Sequence, residues 1–370
     1  MNFSIVIPTW NRSKLLDALL ESLYRERNRY QQGETEVLVV DSSRGSEKES
    51  IQNSCKNYDA QYIEGDDSVR KKRNLGIRVS KYDYILFIDS DVTCREGLLD
   101  EYVEAYRKNS FVNLGGILGY TEFVGEKTFW WKILELTSLV SSFSFAKEYP
   151  FHSWTIGNNV SFKKSVLEEI GMFQENFPFK LGGDDLEMTY RVTKAGYMIG
   201  SAPEAYTYHS RETWNNAKAI HNRAKRWGTM EYHIAQIHPE LYKPVIPRNY
   251  VIETAVLLFS IILSLIMKNP AMAICACVWI VMNWIYQYGV TMKKKGFINP
   301  IHYIGAQIVQ SMYEFYRVKH PLTKGSLAGF FNGMVYNSYQ IRFGMKDDAK
   351  RMWQLGLTYV TAYLLTFILL

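Results

Sequence analysis

The chain has 370 residues, 47% of them apolar, and a formal net charge of +6 at neutral pH. This length allows one sizeable domain with a further part, or two small domains. The charge is too small to indicate nucleic-acid binding, because the basic residues form no stripe interleaved with exposed aromatics. A modest positive balance instead suits contact with anionic lipid.

The first part of the sequence alternates short apolar runs with segments of helical periodicity. Predicted strands and helices, in chain order, are Phe3–Ile7, Lys14–Arg27, Val37–Val40, Val69–Val79 and Tyr84–Ile88. This alternation predicts an α/β layer fold with a mostly parallel sheet. Ligands bind beyond the carboxyl ends of the strands in such sheets. Asp41 and Asp89 lie at two of these ends, which makes both candidates for a binding site.

The last third of the sequence is far more apolar. Residues 250–267 form a run of spanning length, interrupted near its start by Glu253, and residues 271–292 form a second run that ends at Lys293-Lys294-Lys295. A third candidate span, 352–370, follows a basic segment. By the positive-inside rule, the lysine triplet places both ends of the first hairpin in the cytosol, and the last span begins inside.

Two less apolar segments, 301–318 and 326–343, lie between the second and third runs and are rich in tyrosine and asparagine. Amphipathic helices at the cytoplasmic interface are our preferred interpretation, and a further transmembrane hairpin is the alternative. The sequence therefore predicts a cytosolic domain at 1–248 and a membrane domain at 249–370. The predicted protein is a multi-pass protein of the cell membrane, and its first domain lies on the cytoplasmic side.

The cysteines and the N-terminus agree with a cytosolic first domain. The four cysteines, Cys55, Cys94, Cys275 and Cys277, include no CxxC pair. A disulfide framework or a zinc site is not expected, and a reducing compartment is the default prediction. The first residues run directly into an apolar strand without the features of a signal peptide.

Six short motifs follow one another before residue 190. They are SIVIPTWNR at 4–12, VVDSS at 39–43, KRNLGI at 72–77, FIDSD at 87–91, GNNVSFKK at 157–164 and GDDLE at 183–187. In this order and spacing they resemble the inverting family-2 glycosyltransferases, which have the GT-A fold. The resemblance covers residues 2–227. A lone DxD is a weak signal, whereas the ordered set is specific.

The resemblance implies sugar transfer from a nucleotide-sugar donor, with Mg²⁺ or Mn²⁺ as cofactor. A diphosphate leaving group is dianionic, so a divalent cation held by carboxylates is a suitable electrophile. By resemblance, Asp91 is a metal ligand and Asp89 supports ribose or metal. His209 resembles the histidine that completes the metal site in many GT-A enzymes. Without the resemblance, Asp89 and Asp91 could be solvated loop acids or could cap a helix. His209 could have a purely structural role.

The donor-binding candidates also follow from the resemblance: Pro8, Thr9, Asp41, Asp66 and Arg73. Asp41 and Asp66 resemble the acids that contact the base and ribose, although Asp67 could replace Asp66. Arg12 is a further candidate.

The basic run Arg70-Lys71-Lys72-Arg73 allows a second interpretation. It can form the solvated face of a helix, and of its four residues only Arg73 matches the family's Ala-Arg-Asn-x-Gly-Ile pattern.

Asp185 is the predicted catalytic base. In an inverting transfer one carboxylate removes the proton of the acceptor hydroxyl while its oxygen attacks the anomeric carbon, so no nucleophilic side chain is needed. The sequence has Asp184 where the family usually has Glu, and Glu187 where Asp is common. Which neighbour supports the base therefore stays open. One of these acids is also expected to cap the helix that follows.

Arg226 and Trp227 stand where processive relatives carry Gln-x-x-Arg-Trp. Arg223 replaces the glutamine, which weakens a processive interpretation. Arg226 and Trp227 are still predicted to contact the diphosphate or the acceptor.

Four functions are compared on these residues. The leading one is transfer of a sugar to a membrane lipid or a lipid-linked saccharide, and a processive polysaccharide synthase is the alternative. A sugar-phosphate nucleotidyltransferase would need a glycine-rich phosphate loop, which the segment 8–11 is not. An inactive scaffold protein is disfavoured by the presence of Asp89, Asp91 and Asp185 together.

Overall fold

A computed structural model of the chain describes residues 1–177, 182–244, 249–327, 332–334, 337–338, 341–342 and 345–369. Two compact units are present. The first consists mainly of residues 1–127 and 140–214, and the second of 128–139 together with most of the chain from Asn215 onward. The division between the units does not coincide with the predicted domain boundary at 248. Residues 128–139 and the helix after Asn215 belong to the same unit as the C-terminal helices.

The strands, in chain order, are β1 (Phe3–Thr9), β2 (Thr35–Asp41), β3 (Gln61–Glu64), β4 (Tyr84–Ile88), β5 (Val92–Cys94), β6 (Leu114–Val124), β7 (Phe151–His152), β8 (Asn159–Lys163), β9 (Met198–Ser210), β10 (Tyr242–Pro244), β11 (Asn332–Met334), β12 (Asn337–Ser338) and β13 (Ile341–Arg342). The α-helices are α1 (Ser13–Arg29), α2 (Gly45–Asn57), α3 (Val69–Val79), α4 (Leu98–Lys108), α5 (Phe129–Leu134), α6 (Phe145–Glu148), α7 (Lys164–Glu169), α8 (Asp184–Lys194), α9 (Ala217–Ile237), α10 (Asn249–Met267), α11 (Ala271–Lys295), α12 (Pro300–Thr323) and α13 (Met345–Leu369).

The first unit is built on one sheet with the strand order β3-β2-β1-β4-β8-β6-β9-β5, and β7 pairs with β9. The first four strands are parallel, as predicted. The other half is mixed, because β8 runs antiparallel to β4 and β6, while β6 and β9 are parallel. The α/β prediction is therefore confirmed, with a mixed sheet in place of a mostly parallel one.

The packing of the parallel half explains why its elements are recognisable in the sequence. Every residue of β1 is buried, as expected for a central strand with both faces covered. Gly76 lets α3 approach β1 closely, because a Cβ there would lie 2.3 Å from Cγ1 of Val6. The β1–β2 register places Thr9 beside Asp41 at the carboxyl edge. Two donor-site candidates thus come together through strand pairing.

The second unit contains two helices, α10 and α11, that are long and apolar enough to cross a membrane by length and composition. They cover the first two predicted spans. Buried Glu253 on α10 accepts hydrogen bonds from Asn283 Nδ2 (2.8 Å) and Trp284 Nε1 (3.1 Å) on α11. Such bonds join adjacent helices in an apolar solvent. The third predicted span, 352–370, overlaps α13, and its transmembrane role stays a prediction.

The two predicted interfacial helices have different outcomes. Residues 301–318 lie within the single helix α12. The prediction of a helix over 326–343 is wrong for the described residues of that segment, which form β11, β12 and β13. Asn332 and Gly333 are poor helix formers, and their strand pairs antiparallel with β10.

Candidate active site

The candidate site lies in the first unit, where several loops meet beyond the strand ends. The Asp89–Asp91 turn follows β4, His209 lies near the end of β9, and Asp184 and Asp185 begin α8. Arg73 reaches the same region from α3. Four separate parts of the chain therefore supply the polar side chains of one site.

Asp91 is buried and surrounded by three polar groups. Its Oδ2 atom lies 2.8 Å from Arg12 Nη1 and accepts a hydrogen bond from Thr213 Oγ1 (3.3 Å). Its Oδ1 atom lies 3.5 Å from His209 Nε2. The other ring nitrogen, His209 Nδ1, lies 3.0 Å from the Ser210 carbonyl oxygen and can donate to it. In that tautomer, Nε2 directs a lone pair towards Asp91.

Arg73 links the DxD turn to the start of α8. It is buried, with Nη1 2.6 Å from Asp184 Oδ2 and Nη2 3.1 Å from Asp89 Oδ1. Nη2 also donates to the Gly157 carbonyl oxygen at 3.1 Å. A planar guanidinium is suited to holding two carboxylates in fixed positions. Arg73, predicted to bind the nucleotide, is in this structure the link between two acidic motifs.

Asp185 differs from its neighbour because, among the described residues, it accepts hydrogen bonds from backbone N–H groups and not from a basic side chain. Its Oδ2 accepts from the Gly157 backbone N–H (3.2 Å), and Oδ1 accepts from the Leu186 N–H (2.9 Å). Burial, reinforced by the charge of Asp184, raises the pKa of Asp185 to about 6. This value suits a general base near neutral pH, since a base must be ionised yet able to take up a proton.

The rate should therefore depend on pH through Asp185. Because its pKa is raised, the carboxylate is ionised only above about pH 6, and kcat/KM should rise as pH increases through that value. Measurement of kcat/KM between pH 4.5 and 8 checks this. A rate that stays flat down to pH 4.5, with binding still saturable, would contradict the expectation.

Gly157 joins the two halves of this arrangement through its backbone. A Cβ on this residue would lie 2.8 Å from Arg73 Nη2. We expect Gly157→Ala to displace Arg73 and to lower kcat roughly tenfold, which corresponds to about 1.4 kcal/mol. Gly289→Ala is the matched control, because an added Cβ there meets nothing within 4 Å. Equal kcat for both variants would show that Arg73 does not need its present position.

The other acids of the GDDLE motif have structural partners. Glu187 is buried, and Arg191 donates to both of its oxygens (2.8 and 2.9 Å), which favours a structural role over the predicted catalytic one. The expected helix cap is wrong for both aspartates. Gly183, with a left-handed backbone, occupies the N-cap position, and no side chain caps α8 there. Asp184 instead accepts from the Gly182 N–H (3.1 Å).

The pair Asp91 and His209 fits part of a divalent metal site. Two ligand atoms at about 2.1 Å from one ion stand about 3.0–3.5 Å apart at angles of about 90–110°, and Asp91 Oδ1 and His209 Nε2 are 3.5 Å apart. The predicted set of Asp89, Asp91 and His209 does not form a three-residue metal cluster, and none is found among the described residues. Any further ligands would have to come from the substrate and water.

The predicted base and ribose acids are placed differently from each other. Asp41 is fully buried, and accepts from the Ser43 N–H (2.9 Å), Ser43 Oγ (2.6 Å) and Tyr62 OH (3.2 Å). Asp66 is exposed and pairs with Lys71, which lowers its pKa. The hydroxyl of Thr9, at the end of β1, is buried and has no hydrogen-bond partner among the residues that the structure describes. It is an available donor or acceptor at this edge.

The basic run of α3 is not a solvated face. Arg70, Lys72 and Arg73 are buried, and only Lys71 fits the solvated interpretation. Lys72 Nζ donates to the Thr9 carbonyl oxygen at 2.5 Å, and burial lowers the pKa of Lys72 to about 8. Arg70 donates to the Gly182 carbonyl at 2.9 Å. Sequence reasoning missed these contacts because they join residues far apart in the chain. It missed Thr213 because no motif contains that residue.

Arg226 and Trp227 lie on α9 in the second unit. Their contact with a diphosphate or an acceptor stays a prediction.

Comparison with known proteins finds similarity to glycosyl transferases and polysaccharide synthases. Residues 4–171 match the sequence profile of glycosyl transferase family 2. The chondroitin synthase of Escherichia coli is 28% identical over 241 residues, which cover 56% of this chain and 34% of that protein. The Methanococcus voltae enzyme named dolichyl N-acetyl-alpha-D-glucosaminyl phosphate 3-beta-D-2,3-diacetamido-2,3-dideoxy-beta-D-glucuronosyltransferase is 25% identical over 226 residues, 58% of this chain and 68% of that protein.

A solved structure extends the comparison to the fold. The mannosyltransferase of Pyrobaculum calidifontis, determined in complex with GDP-Man and Mn²⁺, has a TM-score of 0.52 and 15% identity, with 87% of each chain covered. This likeness concerns the fold alone. The present chain spans 34% or less of the length of the chondroitin and hyaluronan synthases that it matches.

Topology and this likeness together define a GT-A-like mixed sheet. Residues 4–171, somewhat under half of the chain, are thus similar to glycosyl transferase family 2.

Proposed function

We propose that the chain transfers a sugar, with inversion, from a nucleotide-sugar donor to a lipid or lipid-linked saccharide at a membrane surface. The observation that carries the reaction is Asp185. It is a half-buried carboxylate with a pKa raised to about 6, and it belongs to the hydrogen-bonded group that Gly157 and Arg73 connect to Asp89. The proposed base, Asp185, and the proposed donor-binding acid, Asp89, thereby belong to one hydrogen-bonded network.

The residues divide the chemistry between them. Asp185 accepts the proton of the attacking hydroxyl, or orients the acceptor if that group is an already ionised phosphate. Asp91 and His209 would hold a divalent cation, which supplies charge neutralisation for the departing diphosphate. Arg12 lies on Asp91 with its side chain 38% exposed, so its guanidinium can also reach an anionic donor.

The donor base and ribose would lie at the edge formed by β1 and β2. Thr9, Asp41 and Asp66 are the proposed contacts there, with Pro8 fixing the backbone before Thr9. The unpaired buried hydroxyl of Thr9 supports this assignment, because buried polar groups normally have a partner.

A membrane acceptor is supported by the second unit. Helices α10 and α11 expose many large apolar side chains, among them Leu258, Phe259, Leu265 and Ile285. Exposed apolar surface of this extent on helices of spanning length is suited to lipid. The relative from Methanococcus voltae is named for transfer to a dolichyl-phosphate-linked sugar. The lysines at 293–295 would place the catalytic unit on the cytoplasmic side.

The proposal is tested with purified protein in lipid nanodiscs. A panel of nucleotide sugars is offered with Mn²⁺, together with a polyprenyl-phosphate-linked sugar and the matching soluble sugar. Mass spectrometry of extracted lipids should reveal one added sugar on the lipid-linked acceptor. Equal transfer to the soluble sugar would reject the lipid acceptor, and donor consumption without any glycoside would reject the transferase assignment for these substrates.

A processive polysaccharide synthase is the second candidate. Several curated relatives are named as synthases of polymers, including poly-beta-1,6-N-acetyl-D-glucosamine synthase of Staphylococcus epidermidis, 22% identical over 208 residues. The length of the product separates the two functions. A ladder of products at low enzyme concentration would favour the synthase, and a single addition would favour the transferase.

A further inference from the structure

Helix α12 exposes an apolar stripe. Ile301, Ile304, Ile308, Phe315 and Leu322 recur at helical spacing, and each is between 39% and 63% exposed. Residues three, four and seven apart lie on one face of a helix. We call these five residues the α12 stripe. A helix at the surface of a soluble protein has the opposite pattern, with its polar residues outward.

The opposite face of α12 is buried, and it contains two charged residues beside apolar ones such as Ala306 and Val309. Glu314 and Arg317 lie there, with Arg317 Nη1 2.9 Å from the Asn332 carbonyl oxygen. This face packs on α9, where Gly228 lies against the Tyr313 backbone. His221 of α9 also lies 3.1 Å from the Tyr316 hydroxyl. The α12 stripe is therefore the outer side of a two-helix layer, and the face that packs on α9 lies on the other side.

The stripe continues into neighbouring exposed aromatics. Phe129 and Trp130 of α5 are 46% and 38% exposed, and the Phe129 ring contacts His302 at the start of α12. Phe297, in the linker before α12, is 86% exposed and follows the lysine triplet 293–295. An apolar band beside clustered lysines is the pattern of a segment that binds anionic lipid. Lys319, also on the exposed side of α12, adds to this charge.

We propose that α12 lies in the plane of an anionic bilayer, with the α12 stripe in the upper acyl region and Phe129 and Trp130 of α5 in the same surface. This inference rests on the membrane association proposed above. The helix that precedes α12 in the chain, α11, is long and apolar enough to cross a membrane, and this continuity selects lipid as the occupant of the stripe. The segment 128–139, which belongs to the second unit although it precedes residue 215, thus contributes α5 to the membrane contact.

The charged residues of α9 favour an α12 that lies in the plane of the bilayer over an α12 that crosses it. Lys218, Arg223, Lys225 and Arg226 lie in the N-terminal half of α9, the helix that packs on α12. A transmembrane α12 would carry these side chains into hydrocarbon, where each charge is strongly unfavourable. With α12 in the plane, α9 lies on the aqueous side and its charges stay hydrated or meet headgroups.

The test places a photoreactive benzoylphenylalanine at position 308 or 315 of the full-length protein. Phe111, a 78% exposed residue of the first unit, is the matched control position. Each protein is illuminated in nanodiscs of phosphatidylglycerol and phosphatidylcholine and analysed by intact mass spectrometry, after its melting curve has been matched to that of the unsubstituted chain. We expect lipid adducts at 308 and 315 and none at 111.

Fragmentation of the adducts measures depth. If α12 lies in the plane, positions 301, 308, 315 and 322 react with the same upper acyl carbons. If it crosses the bilayer, 308 and 315 react near the chain ends, and the proposal is overturned. Adducts between two copies of the chain would also overturn it, because the stripe would then be a subunit interface. Lipid cross-linking does not depend on enzyme turnover. The orientation of α12 can therefore be tested even if the proposed lipid acceptor is wrong.

Discussion

Replacement of Asp185 by Asn should abolish turnover and leave donor binding nearly unchanged. The amide cannot accept the proton of the acceptor hydroxyl, while the donor contacts of Asp91 and the β1–β2 edge remain. Loss of a general base costs on the order of 10²–10⁴ in rate. Initial rates with saturating donor and acceptor measure the loss, and calorimetric titration with donor and Mn²⁺ measures binding.

The same variant should be more stable than the natural chain at neutral pH. The raised pKa of Asp185 means that the folded state binds the proton more tightly than the unfolded chain. Stability therefore falls as pH rises from about 4 to about 6, and stays lower above that. Removing the charge should raise Tm at pH 7.5 and not at pH 4. Activity within a few-fold of the natural chain would remove Asp185 from the mechanism.

Glu187→Gln is the matched control for Asp185→Asn. Glu187 is fully buried and its two oxygens are held by Arg191. Breaking a buried ion pair leaves an uncompensated charge, so this variant should unfold at lower temperature. If Glu187 is structural, the activity that remains should keep the pH dependence of the natural chain. A kcat loss as large as that of Asp185→Asn in a fully folded protein would return Glu187 to the catalytic group.

The elements that could be predicted from sequence are those with a strong local pattern. β1, β2 and β4 are continuous apolar runs because both of their faces are covered, and α1 buries Leu16, Leu19 and Leu20 at helical spacing. The antiparallel strands were not predictable in this way. β5 has three residues and β7 has two, which is too short for an alternation to be recognised.

The features of the site that could not be predicted from the sequence depend on contacts between residues far apart in the chain. The strand register explains why Thr9 meets Asp41, and this follows from a parallel sheet. By contrast, Lys72 and Arg70 look solvated because four basic residues are adjacent in the sequence. Their burial depends on the Thr9 and Gly182 carbonyls, which lie 63 and 112 residues away in the chain. Charge composition carries no information about such partners.

The C-terminal part shows the same limit. The tyrosines and asparagines of 326–343 suggested an amphipathic helix, yet Asn332–Met334 pairs with Tyr242–Pro244. A strand partner almost ninety residues earlier is invisible to local periodicity. For α12 the pattern was sufficient for a helix, and the structure adds which face is outward. That face could not be assigned from sequence, because both faces contain apolar residues.

Asp91→Ala is expected to abolish metal-dependent donor binding. Its Oδ1 is the carboxylate atom nearest His209 Nε2, and the cation it would hold neutralises the diphosphate. Changes around metal ligands already cost about 10–100-fold in metal affinity, so removal of a ligand should cost on the order of 10²-fold or more. Titration of Mn²⁺ followed by electron paramagnetic resonance, with and without nucleoside diphosphate, measures the loss directly.

Two further variants separate the roles around Asp91. His209→Ala should weaken Mn²⁺ binding less than Asp91→Ala, because phosphate and water oxygens can replace one nitrogen ligand. Arg12→Ala removes a positive charge from Asp91 Oδ2 and should leave Mn²⁺ binding intact or tighter, since the carboxylate loses a competing cation. It should weaken the diphosphate if Arg12 reaches the donor. Unchanged Mn²⁺ affinity in Asp91→Ala would reject the metal role, and Asp91 would then serve to position Arg12.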